Sequence, residues 1–174
     1  MFLYTTPLLT ICMQKPRTYY KPCRYIRMKE YKAVKADGVA VVILHKRRIL
    51  LLKRRKIPFI FNPGIWSFVM GSKNRGEPYQ ETAYREVNEE TGLERKAIKQ
   101  LRKPIKVWMF DANKKKKWQN YLFFFSSSTN KIKLNIENSR FRWASLNELK
   151  KGKDYTNIFI DKKRVIKEIE SCIK

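Results

Sequence analysis

The chain has 174 residues, enough for one domain with a buried core, and its 43% hydrophobic and 32% charged residues are typical of a globular protein. Its 40 lysines and arginines against 15 acidic residues give a net charge of +25, which favours a polyanionic partner, although an AT-rich genome would produce a similar bias. Three cysteines without a C-x-x-C pair and a single histidine argue against a disulfide scaffold, a zinc site and any mechanism that needs two histidines.

We expect a basic N-terminal arm over residues 1–35 and one domain over residues 36–174. The arm carries eight basic residues, one acidic residue and three prolines, a composition that indicates a partly irregular segment. No apolar run approaches the roughly 20 residues that cross a bilayer. A cytoplasmic protein without membrane contact is therefore expected.

Strands are predicted at the start of the domain. The continuous apolar runs Gly38–Leu44 and Ile49–Leu52 are typical of buried strands, and the basic turn Lys46–Arg48 joins them. After a loop that contains two prolines, Trp66–Met70 predicts a third, shorter strand. A helix is predicted over Pro78–Thr91, since proline suits a first helical turn and the following glycine suits a C-terminal stop.

The second half predicts a hairpin and then two helices. Ile105–Phe110 and Trp118–Phe125 form the hairpin, and Arg140–Ala144 is a further strand. Ser145 begins a short helix with an S-x-x-E capping box, and Asp161–Ile173 is amphipathic. The order of elements predicts an α/β or α+β fold, in which helices flank a mixed sheet in three layers.

The segment Gly71–Leu93 is locally acidic in a basic chain. It contains five acidic and three basic side chains, a net charge of −2, which leaves +27 on the other residues. Glu86, Glu89 and Glu90 stand at i, i+3 and i+4, so they share one face of the predicted helix. A hard divalent cation such as Mg²⁺, Mn²⁺ or Ca²⁺ would stabilise these carboxylates together. The alternative is a solvated acidic helix that makes ordinary ion pairs.

The same segment fits the pattern G-x5-E-x7-R-E-U-x-E-E-x-G-U, where U is a bulky aliphatic residue. The matching positions are Gly71, Glu77, Arg85, Glu86, Val87, Glu89, Glu90, Gly92 and Leu93. In this the chain resembles the Nudix hydrolases. The similarity covers most of residues 36–150, because Trp66 ahead of the motif and the stretch from Glu137 to Trp143 also fit the family pattern.

The resemblance implies an α/β/α sandwich with a mixed central sheet. It also implies a loop–helix–loop that binds Mg²⁺ or Mn²⁺ and cleaves the diphosphate linkage of a nucleoside diphosphate joined to a second group X. Glu89 and Glu90 would be the main metal ligands, and Glu86 a further ligand or the base that activates water. Arg85 would orient the glutamates. The resemblance leaves homodimerisation open.

The resemblance implies two further positions in the metal site. The carbonyl of Met70 would complete the metal shell, and Glu77 would support the loop or reach a second metal. The family usually has glycine just before the motif, where this chain has Val69-Met70; a turn with positive φ would strain Met70. Several relatives take their base from outside the motif, which makes Glu137 a candidate, with Asp111 a weaker one. A surface acid beside Arg140 is the alternative for Glu137.

Substrate contacts are predicted beside the motif. Trp66 is the best candidate for stacking on a base, with a place in the core as its alternative, and the basic residues Arg54 and Lys56 could meet a phosphate. The expected substrate is a nucleoside triphosphate or nucleotide sugar. The basic arm and Lys114–Lys117 favour, as an alternative, an enzyme that acts on RNA 5′ ends. A catalytically silent RNA-binding domain is the third hypothesis.

Overall fold

The computed structural model describes residues 32–34, 38–57, 63–111, 116–151 and 161–173. The basic arm up to residue 31 and most of the predicted hairpin tip therefore lie outside the described residues. The strands are β1 (Lys32–Val34), β2 (Gly38–His45), β3 (Arg48–Arg54), β4 (Trp66–Ser67), β5 (Val69–Ser72), β6 (Ile98–Gln100), β7 (Ile105–Asp111), β8 (Lys116–Ser127) and β9 (Asn138–Ala144). The helices are α1 (Tyr79–Thr91), α2 (Leu146–Lys151) and α3 (Lys162–Ile173), and a 3-10 turn spans Arg95–Ala97.

The described strands form one mixed sheet. Its central path runs β1-β8-β2-β3-β4; β5 pairs with β2, β6 and β7 pair with β8, and β9 pairs with β3. Strand β8 is parallel to β1 and β2, whereas the other pairings are antiparallel. In the pairing of β2 with β8, Val39 lies opposite Tyr121 and Leu44 lies opposite Ser126.

The sheet is covered on both faces, which explains why β2 is a continuous apolar run. Its side chains alternate between two cores, with Ala40 and Val42 in one and Val39 and Val41 in the other. Ala83 and Val87 of α1 join the second core. The first core takes in Leu149 of α2 and Val165 and Ile169 of α3. The three-layer prediction is thereby confirmed.

Helix ends follow the sequence signals. Pro78 is the N-cap of α1, and Gly92 ends the helix in the left-handed region at φ 68°, where its N–H donates to the carbonyl of Asn88. At α2 the hydroxyl of Ser145 accepts from the Glu148 N–H at 3.2 Å, and the Glu148 carboxylate accepts from the Ser145 N–H at 2.7 Å. This is the predicted capping box.

The predicted strand Trp66–Met70 is in fact two strands. Trp66–Ser67 pairs with β3, whereas Val69–Ser72 pairs with β2, so the chain changes partner at Phe68. Phe68 is 1% exposed and belongs to the core under α2 and α3. Short apolar stretches give no signal for such a change of partner, because either pairing buries the same side chains.

A bulge breaks the register between β3 and β9. Lys53 pairs with Arg140, but the next pair is Arg54 with Asn138, so Ser139 is an extra residue. Consecutive residues of a strand point to opposite faces, and the bulge therefore turns Asn138 to the same face as Arg54. Asn138 is buried as a result, with 1% of its surface exposed.

No helix in the described ranges is long and apolar enough to cross a membrane.

Candidate active site

Helix α1 holds the acidic motif against the sheet. Its apolar side, with Ala83 and Val87 fully buried, packs on the core that contains Val39, Val41 and Val69. The glutamates of the motif consequently lie where the helix borders β5. Glu86 and Glu90 are almost buried, at 9% and 3% exposure, whereas Glu89 is exposed.

Strand β5 touches the helix at Gly71. A Cβ placed on Gly71 would lie 1.7 Å from Cδ of Glu86, which is far inside any allowed contact. A Cβ on Gly38, in the neighbouring strand, would lie 2.7 Å from the Gly71 carbonyl oxygen. The glycines thus let the backbone of β5 approach the Glu86 carboxyl group directly.

Arg85 binds three acidic side chains of the motif at once. Its Nε and Nη2 donate to the two oxygens of Glu77 at 2.9 and 3.1 Å, and its Nη1 donates to Glu86 at 2.7 Å and to Glu89 at 3.1 Å. Nη2 also donates to the carbonyl of Ser72 at 2.9 Å. The planar, five-donor guanidinium suits such a fork, which a lysine could not reproduce.

Glu77 is held by the protein on both oxygens. Besides Arg85, it accepts hydrogen bonds from the Asn74 N–H and the Thr82 hydroxyl, each at 3.0 Å. Hydrogen bonds from Arg85, and then from Asn74, lower the pKa of Glu77 to about 2. This arrangement ties the loop before α1 to the helix, one of the two roles expected for Glu77.

Glu90 lies deepest in the group. Its Oε1 accepts from the Met70 N–H at 3.2 Å, and its Oε2 accepts from Asn138 Nδ2 at 2.9 Å. Burial raises the pKa of Glu90 to about 7, because the hydrogen bond from Asn138 and the charge of Arg54 only partly offset the loss of water. Asn138 could not be predicted from the sequence, since a lone asparagine after Glu137 is typical of an ordinary turn.

Glu86 interacts electrostatically with three other carboxylates, those of Glu89, Glu90 and Glu137. Burial raises the pKa of Glu86 above its usual value, and the charges of Glu89 and Glu137 raise it further against the effect of Arg85. The charge of Glu86 in turn raises the pKa of Glu90. The structure therefore brings Glu137, from the turn before β9, close to the glutamates of α1.

Arg54 accompanies Glu137 at this edge of the sheet. It is 8% exposed and forms an ion pair with Glu137 at 3.1 Å. Its charge also favours the ionised form of Glu90. Arg54 thus lies among the acidic side chains of the site. Lys56, in contrast, is exposed beyond the end of β3, with its side chain next to Gly64.

Trp66 lies on the other side of the sheet. It packs against the core beneath α2 and α3, and both Lys53 and Arg142 approach its ring, at 5.7 and 5.0 Å from the centroid.

The predicted strain at Met70 is absent, because the residue pairs with Ala40 as part of β5 and is not among the described residues with positive φ.

The carboxylate oxygens of the motif suit a hard divalent cation chemically, but they do not converge on one point in this structure. Within the described ranges, no three acidic, histidine or cysteine side chains converge as a metal cluster. Arg85 draws Glu86 and Glu89 toward itself, and Asn138 fixes one oxygen of Glu90. Like charges beside Glu86 and Glu90 would nevertheless be stabilised by a cation among them, and oxygen donors favour Mg²⁺ or Mn²⁺.

Comparisons with solved structures place this fold among known proteins. The MutT protein from Methanosarcina mazei Go1 is 23% identical with a TM-score of 0.62, and the match covers 82% of this chain and 96% of that one. RenU, a Nudix hydrolase from M. smegmatis, is 14% identical with a TM-score of 0.65, covering 83% and 90%. A C. elegans Ap4A hydrolase is 16% identical with a TM-score of 0.60, covering 78% and 96%.

Sequence comparison gives the family. No curated protein sequence matches the chain significantly. A family model described as the NUDIX domain, however, matches residues 34–167, which run from the last residue of β1 through β9 and α2 into α3. The chain therefore belongs to the Nudix family and is a hydrolase of that family.

Proposed function

We propose that the protein is a Mg²⁺- or Mn²⁺-dependent pyrophosphohydrolase that cleaves the diphosphate linkage of a small nucleotide, such as a nucleoside triphosphate or a nucleotide sugar. One observation carries the proposal: Glu86 packs directly on the glycine-containing strand β5, beside the carboxylates of Glu89, Glu90 and Glu137. A neighbour in structure acts on Ap4A, as its name states, which supports a nucleotide diphosphate bond as the target.

Glu86, Glu89 and Glu90 would hold the cation, with the carbonyl of Met70 as an additional oxygen donor. When bound, the cation would neutralise charge on the diphosphate oxygens and favour ionisation of a nearby water. Glu77 contributes less to binding a cation directly, because hydrogen bonds from Arg85, Asn74 and Thr82 already fill its acceptor positions, whereas Glu90 accepts only two such bonds. Its role in the proposal is to fix Arg85 and the loop.

The chain's own residues would orient the reaction. Arg85 sets the positions of Glu86 and Glu89, and the Met70 N–H holds Glu90. Either Glu86 or Glu137 would take the proton from the attacking water. The water oxygen bonds to phosphorus, the bond from that phosphorus to the bridging oxygen breaks, and the leaving phosphate departs with the electron pair.

The net charge of +25 favours one alternative substrate, an RNA with a 5′ triphosphate or cap. Binding of RNA releases counterions, so such an activity would fall steeply as salt rises. Hydrolysis of a small nucleotide would change far less over the same range. Salt dependence therefore separates the two substrate classes.

The test is release of phosphate or diphosphate from a panel of substrates, with Mg²⁺ and with Mn²⁺, at low and moderate salt. The panel contains common and oxidised nucleoside triphosphates, ADP-ribose, NADH, a dinucleoside tetraphosphate, and triphosphorylated and capped RNA. We expect metal-dependent turnover of at least one small nucleotide, with little effect of salt. Turnover confined to RNA and lost with salt would move the assignment to RNA 5′ ends, and folded protein silent on every substrate would contradict hydrolysis.

A further inference from the structure

We propose that Asn138 is a positioning residue, which holds the Glu90 carboxylate from the side of the sheet and thereby sets the affinity of the site for its divalent cation. This inference rests on the function proposed above. It concerns a residue outside the sequence motif, brought to the site by the bulge at the start of β9.

Two strands fix the two oxygens of Glu90. Asn138 Nδ2 donates to Oε2 at 2.9 Å from β9, and the Met70 N–H donates to Oε1 at 3.2 Å from β5. An ionised carboxylate offers about four acceptor positions, so these two bonds orient the group and leave positions for a cation. Loss of the Asn138 amide would leave Glu90 fixed on one oxygen only.

The amide of Asn138 has only one orientation that suits its neighbours. Nδ2 donates to Glu90 and also to Oδ1 of Asn135, at 3.2 Å. With the amide reversed, its oxygen would face two acceptor oxygens, which is unfavourable. Among the described residues, Oδ1 of Asn138 has no hydrogen-bond partner although the residue is 1% exposed. An unpartnered buried oxygen is unfavourable, and packing alone would be served better by an apolar side chain.

Asn138 also links Glu90 to the turn that carries Glu137. Glu137 is bound to Arg54, and its backbone carbonyl accepts from the Arg55 N–H at 2.7 Å. The Arg55 side chain donates to the carbonyls of Ile136 and Asn138. The turn is thus anchored to the end of β3, and through Asn138 this anchored turn determines where the Glu90 carboxylate lies.

The test is the affinity of the full chain for Mn²⁺, measured by calorimetry or by electron paramagnetic resonance without substrate. We expect Asn138→Ala to bind Mn²⁺ about 10- to 100-fold more weakly than the wild type, the range usual for residues that orient metal ligands. With substrate, kcat should fall while KM stays close to the wild-type value. The matched control is Ser139→Ala, the exposed neighbour in β9, which should leave both quantities unchanged.

Each outcome decides the inference. Folded Asn138→Ala protein with wild-type Mn²⁺ affinity would overturn it, whereas weaker binding than in Ser139→Ala would support it. If Asn138→Ala is poorly folded, Asn138→Leu, which keeps a branched side chain of similar shape but has no hydrogen-bond donor, is subject to the same two outcomes. If wild-type protein hydrolyses no diphosphate and binds no Mn²⁺, the proposed function fails together with this inference, which distinguishes that failure from a wrong assignment of Asn138 alone.

Discussion

The carboxyl group of Glu86 occupies the space where a side chain at position 71 would begin. A Cβ on Gly71 would lie within 1.7 to 2.1 Å of the carboxyl carbon and both oxygens of Glu86. The first glycine of the motif is therefore required by a helix side chain that packs directly on strand backbone. Sequence spacing joins the two residues in one motif, and the structure supplies the physical reason.

Gly71→Ala should displace Glu86 and reduce both stability and activity. Overpacking of this kind typically costs about 1–3 kcal/mol of unfolding free energy. Urea denaturation followed by circular dichroism would measure the loss. Because the collision is with one side chain, Glu86→Ala in the Gly71→Ala background should cost less stability than Glu86→Ala alone. Strictly additive losses in the two variants would contradict the contact.

Arg85→Lys should lower kcat about 10- to 100-fold, as expected for a residue that orients others. A lysine cannot bind Glu77 through two parallel hydrogen bonds and reach Glu86 and Glu89 as well. Steady-state kinetics on the best substrate of the panel would measure the effect. Arg95→Lys is the matched control, since Arg95 makes a similar two-bond contact with the exposed Glu81 and lies outside the carboxylate group. Full activity of Arg85→Lys would remove the orienting role.

Glu89→Gln and Glu90→Gln should each reduce turnover by at least about 100-fold and leave the far-ultraviolet circular dichroism unchanged. The reason is that each loses one negative charge at the proposed cation site, where such electrostatic contributions are large. Glu81→Gln, on the same helix, is the control. Wild-type rates in both motif variants would show that a cation is not held by these two glutamates.

Without metal, the protein should become less stable as pH rises from about 4.5 to 7. The pKa of Glu90 is about 7 in the folded state against 4.5 as the ordinary value, so in this range the folded state binds more protons than the unfolded state. The contribution to stability is complete below pH 4.5 and is lost as pH passes 7. At 1.36 kcal/mol per pKa unit, the Glu90 contribution that is lost amounts to about 3 kcal/mol.

Urea denaturation in the presence of a chelator, at intervals between pH 5 and 8, tests this dependence. Glu90→Gln should flatten the decline, although Glu86, whose pKa is also raised, would keep part of it. Mg²⁺ added at pH 8 should restore stability, because an ion that binds only the folded state stabilises it by mass action. An equal decline in wild type and Glu90→Gln would exclude Glu90 as its source.

The strands that could be predicted best are those buried on both faces. Gly38–Leu44 and Tyr121–Phe125 are continuous apolar runs because β2 and β8 lie at the centre of the sheet, under helices on both sides. The motif helix was predicted to within one residue at its start, since proline and glycine mark its ends. Local signals of this kind are encoded within a few residues of the feature they determine.

The contacts between distant segments could not be predicted in the same way. Asn138 reaches Glu90 only because a bulge at Ser139 turns the Asn138 side chain to the other face of the sheet. The sequence around Ser139 contains no signal that predicts this bulge. Trp66, the candidate for stacking on a base, packs on the face of the sheet opposite α1. The pairing of strands decides both positions, and that pairing depends on the whole fold.

Hydrolysis of a nucleotide from the panel in ¹⁸O-labelled water tests the central claim most directly. If the motif glutamates of α1 direct water to a diphosphate phosphorus, then with Mg²⁺ one phosphate-containing product gains a single ¹⁸O atom. A chelator should stop this incorporation. Mass spectrometry of the products would show which phosphorus was attacked. If the folded protein incorporates no ¹⁸O into any product in a metal-dependent way, the account is contradicted.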